Sequence, residues 1–506
     1  MSMRVTLNKG LVVWVGLALL VNYQSVLAQG GASAVTPGVG TPAPTVQGQV
    51  LNLQQCIDQA LQNNIQIRQG RLTVENADLQ LKQAKYNLYP NANFNANQQF
   101  SNGRIVDPFT NIAGNQQITQ SSYQLNAQVT LYNGGALKNT IRQNDLTLQA
   151  TQRELQGTQN NVALTVAQNY LNVLTGQEQL VIARRQLEVT QAQLNRTQRL
   201  VDAGSLPEGN LYDLRAQVAQ NEVDIVNAQN TLDLAKLGLL QAMNVPAGQT
   251  FEVQPINVPD PSVVPYPETV QQVYETALSF LPDIQGADLR VKAAATGVDV
   301  ARASLYPTVG VNANLSSFYS SAARTRSVLT GEVTQEVSRR YFIRNPTDNS
   351  VFPILENVLG TTQTRFSYAN QIENNFNQGV ALFLRVPIFG NFQGRTRIAS
   401  ARIQQRNTEL QGDNVRLQVR QQIEQAYTNL RASANRYTAT RVQVTSLEQA
   451  FRIAESRFNA GAVNSVDYNI AKTNLDRTKA SLVQAKYDYV FRTKILDFYQ
   501  NKPLAF

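Results

Sequence analysis

The 506-residue chain contains no histidine and only one cysteine, Cys56. Without histidine, Ser-His-Asp and Cys-His catalysis and every metal site with an imidazole ligand are excluded. A single cysteine cannot form an internal disulfide, and the apolar helical positions that follow Cys56 predict a packed thiol. The sequence offers no set of residues suited to catalysis, so we expect neither an enzyme nor a bound cofactor or metal.

Concentrated positive charge is also missing. The net charge of +9 comes from 44 Lys and Arg against 35 Asp and Glu, and these residues are spread along the whole chain. Nucleic-acid-binding proteins gather their basic residues on one face, often with interleaved aromatic side chains. No such run is present, so nucleic acid is not an expected partner.

No apolar run has the roughly 20 residues that a membrane-spanning helix needs. The run from Leu11 to Val21 follows Arg4 and Lys9 and precedes a small residue at Ala28. This is the order of charged, apolar and cleavable segments in a secretory signal peptide. We therefore predict a signal peptide at 1–28 and, from its Gly, Pro, Ala and Thr content, a disordered leader at 29–49.

Proline is absent from two very long stretches, and an apolar residue recurs there at every seventh position. The first series is Val166, Val173, Leu180, Leu187, Leu194 and Val201, and the second is Ile423, Leu430, Tyr437, Val444, Phe451 and Phe458. A spacing of seven marks one seam of a coiled-coil-like helix. The pattern predicts two helices, at 135–202 and 391–459, each about 100 Å long.

Each long helix is predicted to end in a turn and reverse into a helix of about half its length. Glycine and proline break the pattern at 203–207, and glycine and alanine break it at 460–462. New apolar seams then predict return helices at 209–243 and 465–500. A shorter helix, from Leu51 to Leu88 in the first half, is predicted to precede the strands in each half.

Alternation with period two predicts two strands in each half of the chain. They lie at about 91–100 and 122–132, and again at about 307–317 and 378–389. Each has about ten residues, the length of a tilted membrane strand. Strands of a soluble sandwich alternate in the same way. The export signal, the uncharged Asn, Gln and Thr faces and the lack of a second apolar layer favour the membrane.

The chain is therefore predicted to be an internal duplication. Repeat 1 covers 50–243, a proline-rich connector covers 244–268 and repeat 2 covers 269–502. Tyr89-Pro90 and Tyr306-Pro307 mark the same step from helix to strand in the two repeats. Repeat 2 is longer between its strands, which predicts a large exposed loop at about 319–375.

Four strands cannot close a barrel, and an open sheet edge in lipid is very costly. The chain must therefore oligomerise. Twelve strands from three copies would leave a wide lumen, whereas eight from two copies would be filled by side chains. The predicted fold class is an α+β membrane protein, in which a long-helix α-barrel continues a transmembrane β-barrel completed by trimerisation. Such an assembly is a conduit.

The order of these elements, the Tyr-Pro steps, the Ala-Gly turns and the Gln- and Asn-rich helices resemble the TolC family of outer-membrane efflux proteins. The resemblance covers Leu51 to about Lys502. It implies a homotrimer in the outer membrane that extends into the periplasm. It also implies docking on a periplasmic adaptor (membrane fusion) protein and on an inner-membrane pump of the RND or ABC type, which supplies the energy.

The resemblance also implies that the periplasmic entrance lies at the two helical turns. An acidic gate position falls on Asp467 and an aromatic one on Phe458, while Ile470 and Val463 depart from the charged residues of some members. A simple helix N-cap for Asp467 and seam packing for Phe458 are the alternatives. The candidates of the first turn are Asp202, Glu208 and Asn210.

The tips of the two turns are the predicted adaptor contacts, since they form the end of the molecule whatever the gate chemistry. They comprise Gly204, Ser205, Leu206, Gly461, Ala462 and Val463. Arg385 lies on the polar side of its strand, where it would line the pore or form an interfacial ion pair.

The predicted function is the exit duct of a tripartite efflux system, with multidrug efflux as the family's typical task. Type I protein secretion would use the same conduit for a different cargo, and no pocket readable in the sequence separates the two. A secreted coiled-coil scaffold or adhesin is the alternative from a different class. In that case the alternating segments would form soluble sheets.

Overall fold

The computed structural model describes residues 48–106, 113–256, 266–323, 325–348, 350–463 and 465–502. The signal peptide predicted at 1–28, and all but the end of the leader predicted at 29–49, lie outside the described residues. In the part of the chain that is described, no helix combines the length and the apolarity needed to cross a membrane.

The first repeat consists of two short helices, a strand pair, a very long helix and a return helix. In chain order the elements are β1 (Val50–Leu51), α1 (Leu53–Asn63), α2 (Ile65–Tyr86), β2 (Asn91–Val106), β3 (Ala113–Asn133), α3 (Ala136–Asp202) and α4 (Gly209–Ala242). Helix α3 has 67 residues and is about 100 Å long. Helix α4 has 34 residues and runs back along about half of it.

The second repeat follows the same order with an insertion between its strands. Its elements are β4 (Glu252–Val253), α5 (Val270–Phe280), α6 (Pro282–Ala303), β5 (Thr308–Ser320), β6 (Thr325–Arg344), β7 (Val351–Arg365), α7 (Tyr368–Asn374), β8 (Asn377–Arg385), α8 (Gln393–Asn459) and α9 (Ser465–Phe498). Helices α8 and α9 have 67 and 34 residues, the lengths of α3 and α4. The duplication therefore extends to the length of each long helix.

The helix predicted from Leu51 to Leu88 is in fact two helices separated at Asn64. The Oδ1 atom of Asn64 accepts hydrogen bonds from the backbone N–H groups of Gln66 (2.8 Å) and Ile67 (3.4 Å), so Asn64 caps α2. The second repeat breaks at the matching place, before Pro282 at the start of α6. The unbroken helix was a wrong prediction because the break does not disturb the apolar periodicity.

A four-stranded antiparallel sheet has the order β2-β3-β5-β8. Strands β2 and β3 pair beyond the predicted strand ends, as far as Val106 opposite Ala113. The described part of the segment between the two predicted strands, 101–121, is therefore mostly strand. Polar residues occupy both faces there, so the alternation in polarity disappears although the backbone pairing continues.

The loop predicted at 319–375 is also largely structured. It contains a second, two-stranded sheet formed by β6 and β7, followed by the short helix α7. Register shifts between Leu329 and Val333 and between Val337 and Phe342 interrupt the pairing. These irregularities break the period-two pattern on which strand prediction depends, and the hairpin was missed for that reason.

The start of the connector belongs to the core. Strand β4 pairs in parallel with β1, and Phe251 and Val253 are buried. The Tyr170 hydroxyl donates a hydrogen bond to the Gln254 carbonyl oxygen at 2.7 Å. Cys56 is fully buried in the same cluster, and this burial raises the pKa of its thiol to about 12.

The helices form one curved layer with α3 near its middle. Beside the sheet the neighbours follow the order α2, α3, α6, α8, and towards the turns the order is α4, α3, α9, α8. Helix α3 is therefore packed on both sides. In contrast, α8 forms one flank of the layer along its whole length, and α2 and α4 form the other.

Candidate channel entrance and membrane sheet

The two helical turns at the end of the layer remote from the sheet have the same backbone geometry. Gly204 and Gly461 have φ angles of 73° and 72°, in the left-handed region where glycine is favoured. In the first turn the Ser205 and Gly204 N–H groups donate to the carbonyls of Leu200 and Val201, both at 2.8 Å. This pattern is a Schellman C-cap, and it recurs at Gly461 and Ala462.

The four-stranded sheet has one apolar and one polar face. On the apolar face Leu125 lies opposite Leu315 and Val129 lies opposite Val311. On the polar face the Asn314 side-chain amide donates to the Asn126 side-chain oxygen at 2.7 Å. Apart from α7 at one end, no described element covers the apolar face, so a sheet of this kind suits a lipid environment on one side and water on the other.

Tyrosines and helix α7 mark the end of the apolar face that is remote from the helices. The hydroxyls of Tyr123 and Tyr368 are 2.6 Å apart, and the rings of Tyr319 and Tyr368 are 4.5 Å apart. Tyr123 and Tyr319 continue the apolar face, so α7 lies outside the sheet. Aromatic residues are enriched at the boundary between lipid and water.

A second aromatic group marks the other end of the sheet, where strands meet helices. Tyr89, Tyr306 and Phe389 are all more than half exposed there. About ten tilted strand residues separate the two groups, which corresponds to about 25 Å, the height of the apolar band of a membrane barrel.

Residues 56–245 and 273–496 match the family described as outer membrane efflux protein. The chain belongs to the outer membrane efflux protein family. This confirms the resemblance and the outer-membrane location predicted from the sequence.

One curated relative is the probable outer membrane lipoprotein SilC of Salmonella typhimurium. The chain is 26% identical to it over 302 residues, which cover 56% of this chain and 60% of that protein. The chain thus spans less than two thirds of the length of this relative.

Three solved structures share the fold. CusC has a TM-score of 0.70 at 18% identity, over 91% of this chain and 94% of that chain. VceC of Vibrio cholerae has a TM-score of 0.68 at 16% identity, over 90% of this chain and 97% of that chain. The CmeC outer membrane channel of Campylobacter jejuni has a TM-score of 0.64 at 15% identity, over 89% of this chain and 87% of that chain. The predicted α+β fold, with a long-helix layer that continues a sheet, is confirmed, and completion of a β-barrel by trimerisation stays a prediction.

Phe458 lies in the seam between α8 and α9. It is one of the predicted gate residues. Its ring stacks on Tyr468 with 5.0 Å between centroids, and Phe451 contacts the same tyrosine at 5.5 Å. Tyr468 is buried, whereas Phe458 is half-buried. The geometry is that of seam packing next to the turn, and a gating role for Phe458 stays a prediction.

The predicted acidic and polar residues lie at the two turns. Asp467 is exposed in the first turn of α9, two residues inside the helix, so it is not the N-cap residue. Asp202 ends α3 and accepts a hydrogen bond from the Gln198 side chain at 2.8 Å. Glu208 is exposed immediately before α4, and Asn210 is half-buried in its first turn. Their roles at an entrance stay predictions.

The predicted tip residues close the ends of the two turns. Gly204, Ser205, Gly461 and Ala462 are exposed, while Leu206 and Val463 are half-buried. Arg385 lies in the membrane sheet, at the end where the strands meet the helices. It is the last residue of β8, opposite Thr308, and its side chain is exposed. Strand β8 is an edge strand of the described sheet, and lining of the pore by Arg385 or an interfacial ion pair stays a prediction.

A buried polar cluster that sequence reasoning missed joins α9 to α3 and α4 near the turns. The Lys472 ammonium donates to the Thr190 hydroxyl and, at 3.3 Å, to the Gln186 carbonyl oxygen. The Asn221 side-chain amide donates to the same hydroxyl at 2.7 Å. Lys472, Thr190 and Asn221 are all buried, so the cluster connects three helices through one hydroxyl.

Burial changes the protonation chemistry of this cluster. Desolvation lowers the pKa of Lys472, against the opposing effect of Asp476 one turn along. Desolvation likewise raises the pKa of Asp476, against the opposing effects of Lys472 and Lys479. The spacing of residues in the sequence could have predicted the burial of Lys472. Lys472 follows Tyr468 by four residues and precedes Leu475 by three, so it shares the buried face of α9.

The described residues include no group of three or more Cys, Asp or Glu placed to hold a metal ion. A cavity of about 860 Å³ lies between α3, α4, α8 and α9 and is lined mainly by Gln, Asn, Thr and Arg side chains. This open, polar groove does not have the mainly apolar lining of a small-molecule site.

Proposed function

We propose that three copies of this chain form the exit duct of a tripartite efflux system, which conducts substrates passively across the outer membrane. The observation that carries the proposal is that one chain is an open segment with unsatisfied flanks on both sides. These flanks occur both in the sheet and in the helical layer. A closed ring of copies satisfies every flank with one repeated interface.

In the sheet, the unsatisfied flanks are the outer edges of β2 and β8. Among the described residues, strand β2 pairs only with β3, and strand β8 pairs only with β5. Unpaired backbone groups at an edge cost several kcal/mol each in the lipid core, so membrane sheets close into barrels. Three copies of a four-stranded sheet supply twelve strands, which leave room for an aqueous lumen.

In the helical layer, the unsatisfied flanks are two apolar stripes with heptad spacing. Ile65, Leu72, Leu79 and Tyr86 lie on α2, whereas Ile403, Leu410 and Leu417 lie on α8, and all seven are more than half exposed. A stripe of this spacing is one side of a coiled-coil seam and needs a facing helix. Since α2 and α8 are opposite flanks, the α8 stripe of one copy fits the α2 stripe of the next.

The arrangement supports a passive duct better than a catalyst. The polar face of the sheet presents uncharged side chains such as Asn126 and Asn314, which suit a water-filled lumen. The two capped turns form the free end of the helical layer. We propose that they dock on a periplasmic adaptor, that an inner-membrane pump drives transport, and that Phe458, Asp467 and the buried Lys472 cluster control the opening of this end.

The native mass of the protein extracted from outer membranes in mild detergent tests the proposal. The expected result is a mass near three times that of one mature chain. A monomer in the soluble fraction would leave the strand edges and helix stripes unpaired and would contradict the duct. That result would favour the secreted scaffold. The matching functional measurement is the entry of small dyes into liposomes, which should increase when the liposomes contain the trimer.

A further inference from the structure

No other described element of the chain covers the β6–β7 hairpin. Its strands have 20 and 15 residues, about one and a half to two times the length of a membrane strand. Among the described elements they make extensive contacts only with each other. An isolated two-stranded hairpin is at best marginally stable in water, and it needs a further strand or layer to cover it.

The hairpin exposes apolar side chains along its whole length. We call residues 338–354, which include the turn between Arg344 and Val351, the tip of the hairpin, and the rest of β6 and β7 the stem. Large apolar side chains of both parts are more than half exposed. The stem presents Val333, Val337 and Leu355, and the tip presents Tyr341, Phe342, Ile343 and Phe352. Val337 lies directly opposite Leu355 in the pairing. So many exposed large apolar side chains on one hairpin indicate an interaction site.

The charges of the hairpin are separated along its length. The stem carries Glu332, Glu336 and Glu356, and the last two lie directly opposite each other in the pairing. Like charges in this position destabilise a hairpin. The tip carries the exposed Arg340 and Arg344. No described ion pair involves these glutamates or these arginines. Asp348 lies in the turn at the tip, and Arg326 and Arg365 lie at the base of the hairpin, away from the opposed Glu336 and Glu356.

We propose that the β6–β7 hairpin docks on the same hairpin of the neighbouring copy, with the basic tip of one against the acidic stem of the next. The proposal rests on the trimer proposed above. Each tip supplies cations to the opposed Glu336 and Glu356 of its neighbour, and the exposed apolar side chains of tip and stem cover each other.

The geometry allows three such contacts to form a closed ring. The hairpin begins after β5 and returns through α7 to β8, so it emerges beside an edge strand of the sheet, where the proposed trimer has its subunit boundary. A strand of 20 residues extends about 60 Å, which is enough to reach a neighbouring copy. A tip-to-stem contact is heterologous, and three of them close under threefold symmetry.

Charge favours a copy of this chain over an anionic lipid surface as the occupant. A lipid surface would satisfy Arg340 and Arg344 but would repel the three stem glutamates. A second copy satisfies both ends of the hairpin with one contact. The product is a collar of three crossed hairpins at the end of the sheet remote from the helices.

Cysteine cross-linking in intact outer membranes tests this contact. The full-length protein carries Val333→Cys in the stem and Tyr341→Cys in the tip, and a membrane-impermeant bis-maleimide with a flexible spacer joins thiols of different chains. The native Cys56 can remain, because it is fully buried. We expect covalent dimers and trimers from the double variant and none from either single variant, since tips meet stems and not other tips.

A charge swap provides the control. Arg340→Glu with Arg344→Glu should reduce the cross-linked fraction by about tenfold or more, because like charges then face each other. Adding Glu336→Arg and Glu356→Arg to the same chain should restore it. Rescue by the fourfold variant is not expected if the substitutions merely unfold the hairpin.

The native mass of the same samples separates the two proposals. A trimer that gives no cross-link overturns the hairpin contact and leaves the duct intact, whereas the lack of any trimer overturns the duct itself. Cross-links from Tyr341→Cys alone would show tips meeting tips. A tip cysteine that reacts with neither the cross-linker nor a soluble maleimide would show burial in lipid or in another protein. Either result would overturn the tip-to-stem contact.

Discussion

The two repeats have the same long helices and the same turns, yet matching positions differ in their surroundings. Lys472 on α9 is buried, whereas Arg215, its counterpart 257 positions earlier on α4, is exposed. Helix α9 lies between α8 and α3, whereas α4 lies at a flank of the layer. The place of a helix in the layer therefore decides which basic side chain is buried.

The flanks show a second difference between the repeats. Leu410 and Leu417 on α8 form part of an exposed apolar stripe, but their counterparts on α3 are Arg153 and Asn160. Helix α3 is packed on both sides within its own chain, and it needs no such stripe. At these two positions the apolar residue occurs in the repeat whose long helix would meet another copy, whereas the counterpart of Ile403 on α3 is also apolar, Leu146.

The largest expected effect comes from removing this flank-specific stripe. Leu410→Glu with Leu417→Glu should abolish the trimer, because an unpaired charge in an apolar seam costs about 3–5 kcal/mol. Native mass in mild detergent measures the result. Gln411→Glu with Gln418→Glu adds the same charges to exposed positions on another face of α8 and should leave the trimer intact. An unchanged trimer in the leucine variant would contradict the assignment of the α2 and α8 stripes.

A smaller effect is expected at the hydroxyl that joins α9 to the first repeat. Thr190→Val removes the acceptor shared by Lys472 and Asn221 and should cost about 1–3 kcal/mol of stability. Thr197→Val, seven residues further along α3, is the matched control. Thr197 is fully buried, and its hydroxyl has no hydrogen-bond partner among the described residues. Thermal unfolding should separate the variants, and equal losses would contradict a joining role for Thr190.

The buried lysine should also give the protein a pH dependence that its exposed counterpart does not. Burial lowers the pKa of Lys472 below its ordinary value of 10.5, so the folded state loses this proton before the unfolded state does as the pH rises. The unfolded state then binds more protons, and stability rises with pH between the lowered pKa and 10.5.

Melting temperature as a function of alkaline pH measures this contribution. Lys472→Met should remove the rise, whereas Arg215→Met at the counterpart position should leave it in place. A rise of equal size in wild type and Lys472→Met would show that other groups cause it, and would contradict the desolvation of Lys472.

The sequence predicted the long helices well because heptad seams such as Ile423 to Phe458 repeat many times, and each repeat reinforces the period. The β6–β7 hairpin was not predictable in the same way, since two register shifts interrupt its alternation. The Lys472 cluster was hidden for another reason. Its residues come from α3, α4 and α9, and only the packing of these helices shows that Thr190 faces Lys472.

The smallest expected effect compares the two turns directly. Asp467 in the first turn of α9 corresponds to Asn210 in the first turn of α4. A carboxylate near a helix N-terminus interacts favourably with the helix dipole by about 0.3–1 kcal/mol. Asp467→Asn should therefore lower stability by an amount of this order, and Asn210→Asp should raise it similarly. Thermal unfolding measures both changes.

Single-channel conductance in planar bilayers then separates a structural role from a role at the entrance. If Asp467 only stabilises α9, Asp467→Asn changes the melting temperature and leaves the conductance unchanged. If three Asp467 carboxylates line a narrow entrance, removing them lowers the preference for cations, and this loss diminishes at high salt because the charges are screened. Asn210→Asp introduces a carboxylate at the counterpart position in the first repeat. Its effect on conductance tests whether the first turn lines the same opening.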